Sequence, residues 1–170
     1  MVPPIVLLFF WQRWEWEYMS GVWSVGLLLL LSGTGLRVWS QRYLKYRLRE
    51  ERALATGGPY ATMRNPVYVG NVLILAGLCV LCELPWMIPL VCGWALLVYD
   101  CAIRFEEGRL MKHYGDAYTA YRQRTHRWWP RIPTADPSNP GTLASWLRAA
   151  SVEWQCLLLP AIPLLKEYLY

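Results

Sequence analysis

The chain has 170 residues, 55% of them hydrophobic and 17% charged, with 11 Trp, 11 Tyr and a formal net charge of +5. An ordinary soluble domain is charged at roughly 25% of its positions, so a chain this short and apolar reads as one membrane-integrated domain over residues 1–170. Seven of the 17 Lys and Arg lie in residues 37–66 and seven in 104–131, each cluster beside an apolar run, which fits basic cytoplasmic loops better than a nucleic-acid surface.

The five cysteines add no framework. Four of them sit inside apolar runs, where thiols behave as small hydrophobes. Cys79 and Cys82 form a C-x-x-C, but no second pair follows and the histidines are His113 and His126. Neither a metal nor a disulfide scaffold is expected from this set.

The start, Met1 to Trp11, lacks the positive n-region and small-residue cleavage site of a secretory signal, so it is expected to be retained. Residues 2–11 are too short to cross a bilayer core. Trp11, Trp14 and Trp16 among Gln12, Arg13, Glu15 and Glu17 resemble an interfacial belt. Residues 18–36 form the first expected span, with Gly33 and Gly35 offering a small-residue surface for another helix. It is expected to end at Leu36-Arg37-Val38-Trp39. Residues 40–56 then read as a separate basic amphipathic stretch on an anionic leaflet.

Val67 to Cys82 and Trp86 to Ile103 are the second and third expected spans, joined by Glu83-Leu84-Pro85 as a hairpin. Both ends of the hairpin are basic and its tip carries only Glu83, so its base is expected to face the cytoplasm. Residues 104–126 read as a cytoplasmic helix, with a break possible at Gly115. On it, Glu107, Met111, Tyr114, Tyr118 and Tyr121 recur at steps of four and three, one helical face. Trp128-Trp129-Pro130 returns to the interface, and Asp136 to Gly141 is a loop. The tail, 134–170, carries helical spacing from Leu143 to Trp154, but Pro160 and Pro163 argue for a surface or re-entrant segment over a straight span. The fold class expected is all-α: an integral membrane bundle of about three to five membrane helices with a cytoplasmic C-terminal cap.

Two patches could carry chemistry. In Arg64-Asn65-Pro66-Val67-Tyr68, proline suits a helix start and would leave backbone N–H groups facing the cytoplasmic surface. Taken alone, this is equally a helix-entry turn with a snorkelling arginine and belt tyrosines. Asp100 and Arg104 stand in the favourable order for an i,i+4 ion pair, with Glu106 and Glu107 following. Taken alone, that is a structural pair beside solvated carboxylates. The hairpin brings the two patches to one membrane face. Arginine to grip a carboxylate, acids to accept from hydroxyls or an amine, and rings to hold an adenine or a sulfonium would then share one place.

The ordered series Gly57-Gly58-Pro59-Tyr60 to Gly70, Arg104-Phe105-Glu106-Glu107-Gly108-Arg109-Leu110, Gly115-Asp116-Ala117-Tyr118-Thr119-Ala120-Tyr121 and Arg127-Trp128-Trp129-Pro130 resembles the membrane methyltransferases that include isoprenylcysteine carboxyl methyltransferase and the phospholipid methyltransferases. The resemblance covers residues 36–131. It implies a pocket for S-adenosylmethionine at the cytoplasmic ends of the helices, held by Arg64, Asn65, Pro66, Tyr68, Arg104, Glu106 and Glu107. Tyr60, Arg64 and Tyr118 would serve the reaction, and Tyr118 and Tyr121 belong to a cytoplasmic lid. Many members have histidine where this chain has Asn65, and asparagine is no base near neutral pH. The implied function is methyl transfer to a lipophilic acceptor, either an isoprenylated-cysteine-like carboxylate or an aminolipid, with membrane lipids as partners. Two rivals are a sterol-reductase-like NADPH enzyme and a non-catalytic adaptor that binds anionic lipid.

Overall fold

The structure, a computed structural model, describes residues 19–46, 54–131, 143–159 and 161. The N-terminal run and its tryptophans, basic residues 47–53, the 136–141 loop and the prolines at 160 and 163 lie outside the described residues. Within the described residues the chain is helical and without strands. The helices are α1 (Met19–Tyr46), α2 (Pro59–Thr62), α3 (Pro66–Leu81), α4 (Ile88–Tyr114), α5 (Asp116–Arg124), α6 (Leu143–Val152) and α7 (Trp154–Leu158), with a 3-10 turn at Pro85–Met87.

Two stretches, Gly21–Leu44 with 24 residues and Pro85–Tyr114 with 30, are long and apolar enough to cross a bilayer, which takes about 20 helical residues. Leu28 and Leu31 on α1, and Leu90, Trp94 and Leu97 on α4, turn outward and are exposed. So continuous an apolar exterior suits lipid contact. Between these helices runs α3, with 16 residues, the most apolar of the three. Ile74, Leu75, Leu78 and Cys79 of α3 pack with Leu30 of α1 and with Val91, Ala95 and Tyr99 of α4 to form the core.

Glycine sets how closely α1 and α3 approach. A Cβ at Gly33 would stand 2.6 Å from the Gly70 carbonyl oxygen, and one at Gly70 would stand 2.8 Å from the Gly33 carbonyl oxygen. Backbone cannot yield there as a side chain can. Gly70→Val is therefore expected to destabilise the protein by about 1–3 kcal/mol, read as a lower unfolding midpoint in detergent. Gly35→Ala, which meets nothing within 4 Å, should leave the midpoint unchanged or slightly raised.

The α3–α4 hairpin closes tightly. Glu83 N–H donates to the Val80 carbonyl at 3.0 Å and Leu84 N–H to the Cys79 carbonyl at 2.8 Å. Glu83 itself takes φ 59, where a helix end usually places glycine. This reversal puts the opposite ends of α3 and α4 side by side.

Two expected boundaries move. The first helix does not stop at Trp39: it continues to Tyr46, with no glycine or proline between Gly35 and that point to break it. Arg42, expected on a leaflet surface, is buried, with its guanidinium carbon 4.7 Å from the Trp146 ring centroid. Likewise the third span does not hand over to a separate helix at Arg104. Helix α4 runs unbroken to Tyr114, and the break falls at Gly115, with φ 50. Residues 104–126 are thus the end of one helix plus a second short one.

Candidate functional site

The strand-like entry to α3 is stapled to the segment after α5. Arg64 N–H donates to the His126 carbonyl at 2.8 Å and Arg131 N–H to the Thr62 carbonyl at 2.9 Å. Asn65 Nδ2 adds a bond to the Arg127 carbonyl at 3.2 Å. Asparagine therefore serves here as a structural tie. Tyr68 and Val69 N–H both reach the Asn65 carbonyl at 3.2 Å, so the start of α3 satisfies these amides internally.

Between this entry, the end of α4 and α5 lies a cavity of about 690 Å³. Leu44, Leu54, Ala55 and Leu110 give it an apolar wall. Tyr60, Arg64 and Asn65 line it from the α3 entry, and Glu106 and Glu107 from α4. Tyr114, Tyr118 and Tyr121 close it from either side of the Gly115 turn. The tyrosines share this cavity although they do not share one continuous helix. The turn folds α5 back so that its ring face meets the same space.

Arg64 and Glu107 come from opposite ends of the hairpin and meet here, Nη2 to Oε1 at 3.6 Å. Glu107 also accepts from Arg127, at 2.6 Å from Nη2 and 3.3 Å from Nε. Arg127 continues to Asp100 at 3.1 Å. Hydrogen bonding to Glu107 holds the Arg127 guanidinium even more firmly protonated than usual. Glu106 accepts from the Tyr68 hydroxyl at 2.9 Å.

Tyr121 ties α5 down by donating from its hydroxyl to the Tyr60 carbonyl at 2.8 Å. Burial pushes the Tyr60 hydroxyl well above the ordinary tyrosine range, and Tyr121 and Glu106 reinforce the shift. Tyr121 is raised by burial too, and Tyr118 is raised by burial and then by Glu107. All three phenols stay neutral at physiological pH and act as donors and ring faces, not as bases.

Of the residues singled out from sequence, Tyr60, Arg64, Asn65, Glu106, Glu107 and Tyr118 line the cavity. Pro66 and Tyr68 stand behind the wall, Tyr68 through its bond to Glu106. Arg104 is not in the lining: its side chain is 71% exposed and paired with Asp100 at 2.5 Å, the i,i+4 pair that the spacing predicts. Arg127, which the sequence reading does not single out, stands outside the lining and supports it through Glu107. Its signal was present, since two adjacent carboxylates beside an apolar boundary need more cation than Arg64 supplies.

Arg64 has an unusual surplus. Its side chain is 11% exposed, yet Nε and Nη1 are buried with no hydrogen-bond partner among the described residues. A buried guanidinium normally satisfies its donors. Here the unused donors belong to a residue of the cavity wall.

A model of the phospholipid methyltransferase family matches residues 22–117, more than half of the chain. The chain belongs to the phospholipid methyltransferase family. With its two bilayer-length helices, this member of the family is a membrane protein. The match takes in α1, α3 and α4, and with them Tyr60, Arg64, Glu106 and Glu107. Among curated relatives, the cobalt-zinc-cadmium resistance protein CzcN of Cupriavidus metallidurans is 31% identical over 132 residues, 74% of this chain and 57% of that protein. The nickel-cobalt-cadmium resistance protein NccN of Alcaligenes xylosoxydans xylosoxydans is 29% identical over 122 residues, 71% of this chain and 56% of that protein. The family member described here thus spans a little over half the length of the curated relatives it matches. No solved structure matches it. Among the described residues, no three His, Cys, Asp or Glu side chains are grouped to hold a metal ion.

Proposed function

We propose that the protein is an S-adenosylmethionine-dependent methyltransferase that acts on a lipophilic acceptor at the cytoplasmic face of the membrane. The observation that carries this reading is Arg64. It is a buried guanidinium with unused donors, set beside Glu107 and Glu106 in a cavity that also offers phenol rings and an apolar wall. Family membership supplies the reaction class.

In this reading Arg64 binds the carboxylate end of the donor by a charge-assisted hydrogen bond from one of its unused nitrogens. Glu106 and Glu107 accept from its hydroxyl or amino groups; each carboxylate has lone pairs beyond those its neighbours use. Tyr60 and Tyr118 present ring faces suited to a cation or an adenine. When bound, S-adenosylmethionine supplies an electrophilic methyl group on a sulfonium. The residues then contribute chiefly position: holding two reactants in line can supply roughly 7–11 kcal/mol. With Asn65 tied to a backbone carbonyl and the tyrosines neutral, an amine acceptor would have to lose its proton to His113 or to a glutamate of the lining, whereas a carboxylate acceptor needs no base. The apolar residues Leu44, Leu54 and Leu110 would face its lipid part.

The test is to incubate the purified protein with methyl-labelled S-adenosylmethionine and lipid extracts, and to identify the labelled product by mass spectrometry. Because the relatives are named for metal resistance, extracts from cells grown with and without cobalt, zinc and cadmium are the first to compare. A labelled lipid is expected. Binding of NADPH in place of the methyl donor, or liposome binding without affinity for either cofactor, would overturn the reading.

A further inference from the structure

The tail beyond the family match is built into the first helix. Glu153, between α6 and α7, is 3% exposed. Its Oε2 accepts from Arg37 Nε at 2.8 Å, lies 2.6 Å from Arg37 Nη2, and receives the Cys156 thiol at 3.3 Å. A buried carboxylate so fully engaged is costly to place unless the geometry is well kept. Helices α6 and α7 do not rest loosely on the bundle. They insert an acid into it.

Arg37 passes the contact on. Its Nη1 donates to Asn71 Oδ1 on α3. Room for its stem exists because position 70 is glycine: a Cβ there would stand 2.8 Å from Arg37 Cγ. The Asn71 side chain lies within reach of the Tyr99 hydroxyl of α4. The Tyr99 ring lies 4.8 Å, centroid to centroid, from that of Tyr68, and the Tyr68 hydroxyl donates to Glu106 at 2.9 Å. Six side chains therefore form an unbroken series from the tail to the cavity wall, crossing α1, α3 and α4.

We propose that Glu153 is a positioning residue for the methyl-donor site: through Arg37, Asn71, Tyr99 and Tyr68 it sets how Glu106 is presented to the cavity. The segment 143–159 then belongs to the catalytic unit although it lies outside residues 22–117. This rests on the methyl-donor reading of the cavity. The physical reason is that Glu106 is exposed on its own helix and free rotation would blur its placement, whereas a phenol fixed by a packed ring holds one carboxylate rotamer. The fixed ring itself lies within reach of Asn71, whose partner Arg37 is oriented by a buried acid. Proximity along a series is not coupling, so the test must measure coupling.

The experiment uses the full chain in detergent with 3-fluorotyrosine at position 68 and two readouts. In the absence of any cofactor, Glu153→Gln is expected to move the fluorine resonance of residue 68. In titrations with S-adenosylmethionine, Glu153→Gln is expected to weaken binding on the order of fivefold, and to add nothing further in a Tyr68→Phe background. An unmoved resonance, or the same fold loss in both backgrounds, would overturn the proposal. If Glu153→Gln fails to fold, the paired Arg37→Leu/Glu153→Leu variant removes both charges together, which buried pairs tolerate, and carries the same expectations. Should the unsubstituted protein itself show no affinity for S-adenosylmethionine, the methyl-donor reading fails, while the fluorine readout still decides the coupling.

Discussion

Arg64→Ala is expected to weaken S-adenosylmethionine binding roughly 100-fold while leaving the protein as stable as before or more so. The two effects separate because Arg64 is poorly used by the fold. Only its Nη2 approaches an acid, Glu107 at 3.6 Å, and its buried Nε and Nη1 lack partners among the described residues. Removing donors that are desolvated and unsatisfied relieves a penalty of about 1–3 kcal/mol each. Removing the partner of a buried ligand carboxylate costs about 2–5 kcal/mol of affinity. Calorimetric titration and thermal unfolding on the same preparation check both halves. Arg64→Lys should recover only part of the affinity, since an ammonium keeps the charge and loses the planar donor geometry. A structural arginine would show the opposite pattern, with stability lost and affinity kept.

Glu107→Ala is expected to destabilise the folded protein by about 3 kcal/mol and to abolish activity with it. Glu107 is 12% exposed and neutralises Arg127 at 2.6 Å while facing Arg64. Truncating it strands two guanidinium groups with little water to compensate, and breaking one side of such a buried cluster is expensive. Arg127 is one-quarter exposed and retains Asp100 at 3.1 Å, which keeps the loss at the lower end of that range. Adding Arg127→Met to Glu107→Ala should restore part of the unfolding midpoint without restoring activity. If Glu107→Ala leaves the midpoint untouched, the carboxylate is not what ties Arg127 and the segment after α5 to α4.

The hairpin was readable in the sequence because its signals are local. Pro66 and Pro85 open helical elements, Glu83-Leu84-Pro85 is too short for anything but a reversal, and the flanking runs are apolar. The meeting of Arg64 with Glu107 follows from that reversal alone. Helix ends were less legible. Basic residues after Leu36 mark where a membrane surface falls, but charge does not end a helix, so α1 and α4 both outrun their expected spans. The resemblance implies a cofactor role for Arg104, whose side chain is exposed, paired with Asp100 and outside the cavity lining. The tail was least legible. Neither Glu153 nor Arg37 carries a local mark of its partner, since 116 residues separate them, and a contact at that range is set by packing alone.

The central claim is that the two feet of one helical hairpin form a methyl-donor site, and direct titration of the purified protein with S-adenosylmethionine tests it. Saturable one-to-one binding is predicted for the unsubstituted protein, displaced by S-adenosylhomocysteine and absent when Arg64, Glu106 and Glu107 are all alanine in a protein still folded by circular dichroism. Binding that survives this triple substitution unchanged would contradict the account.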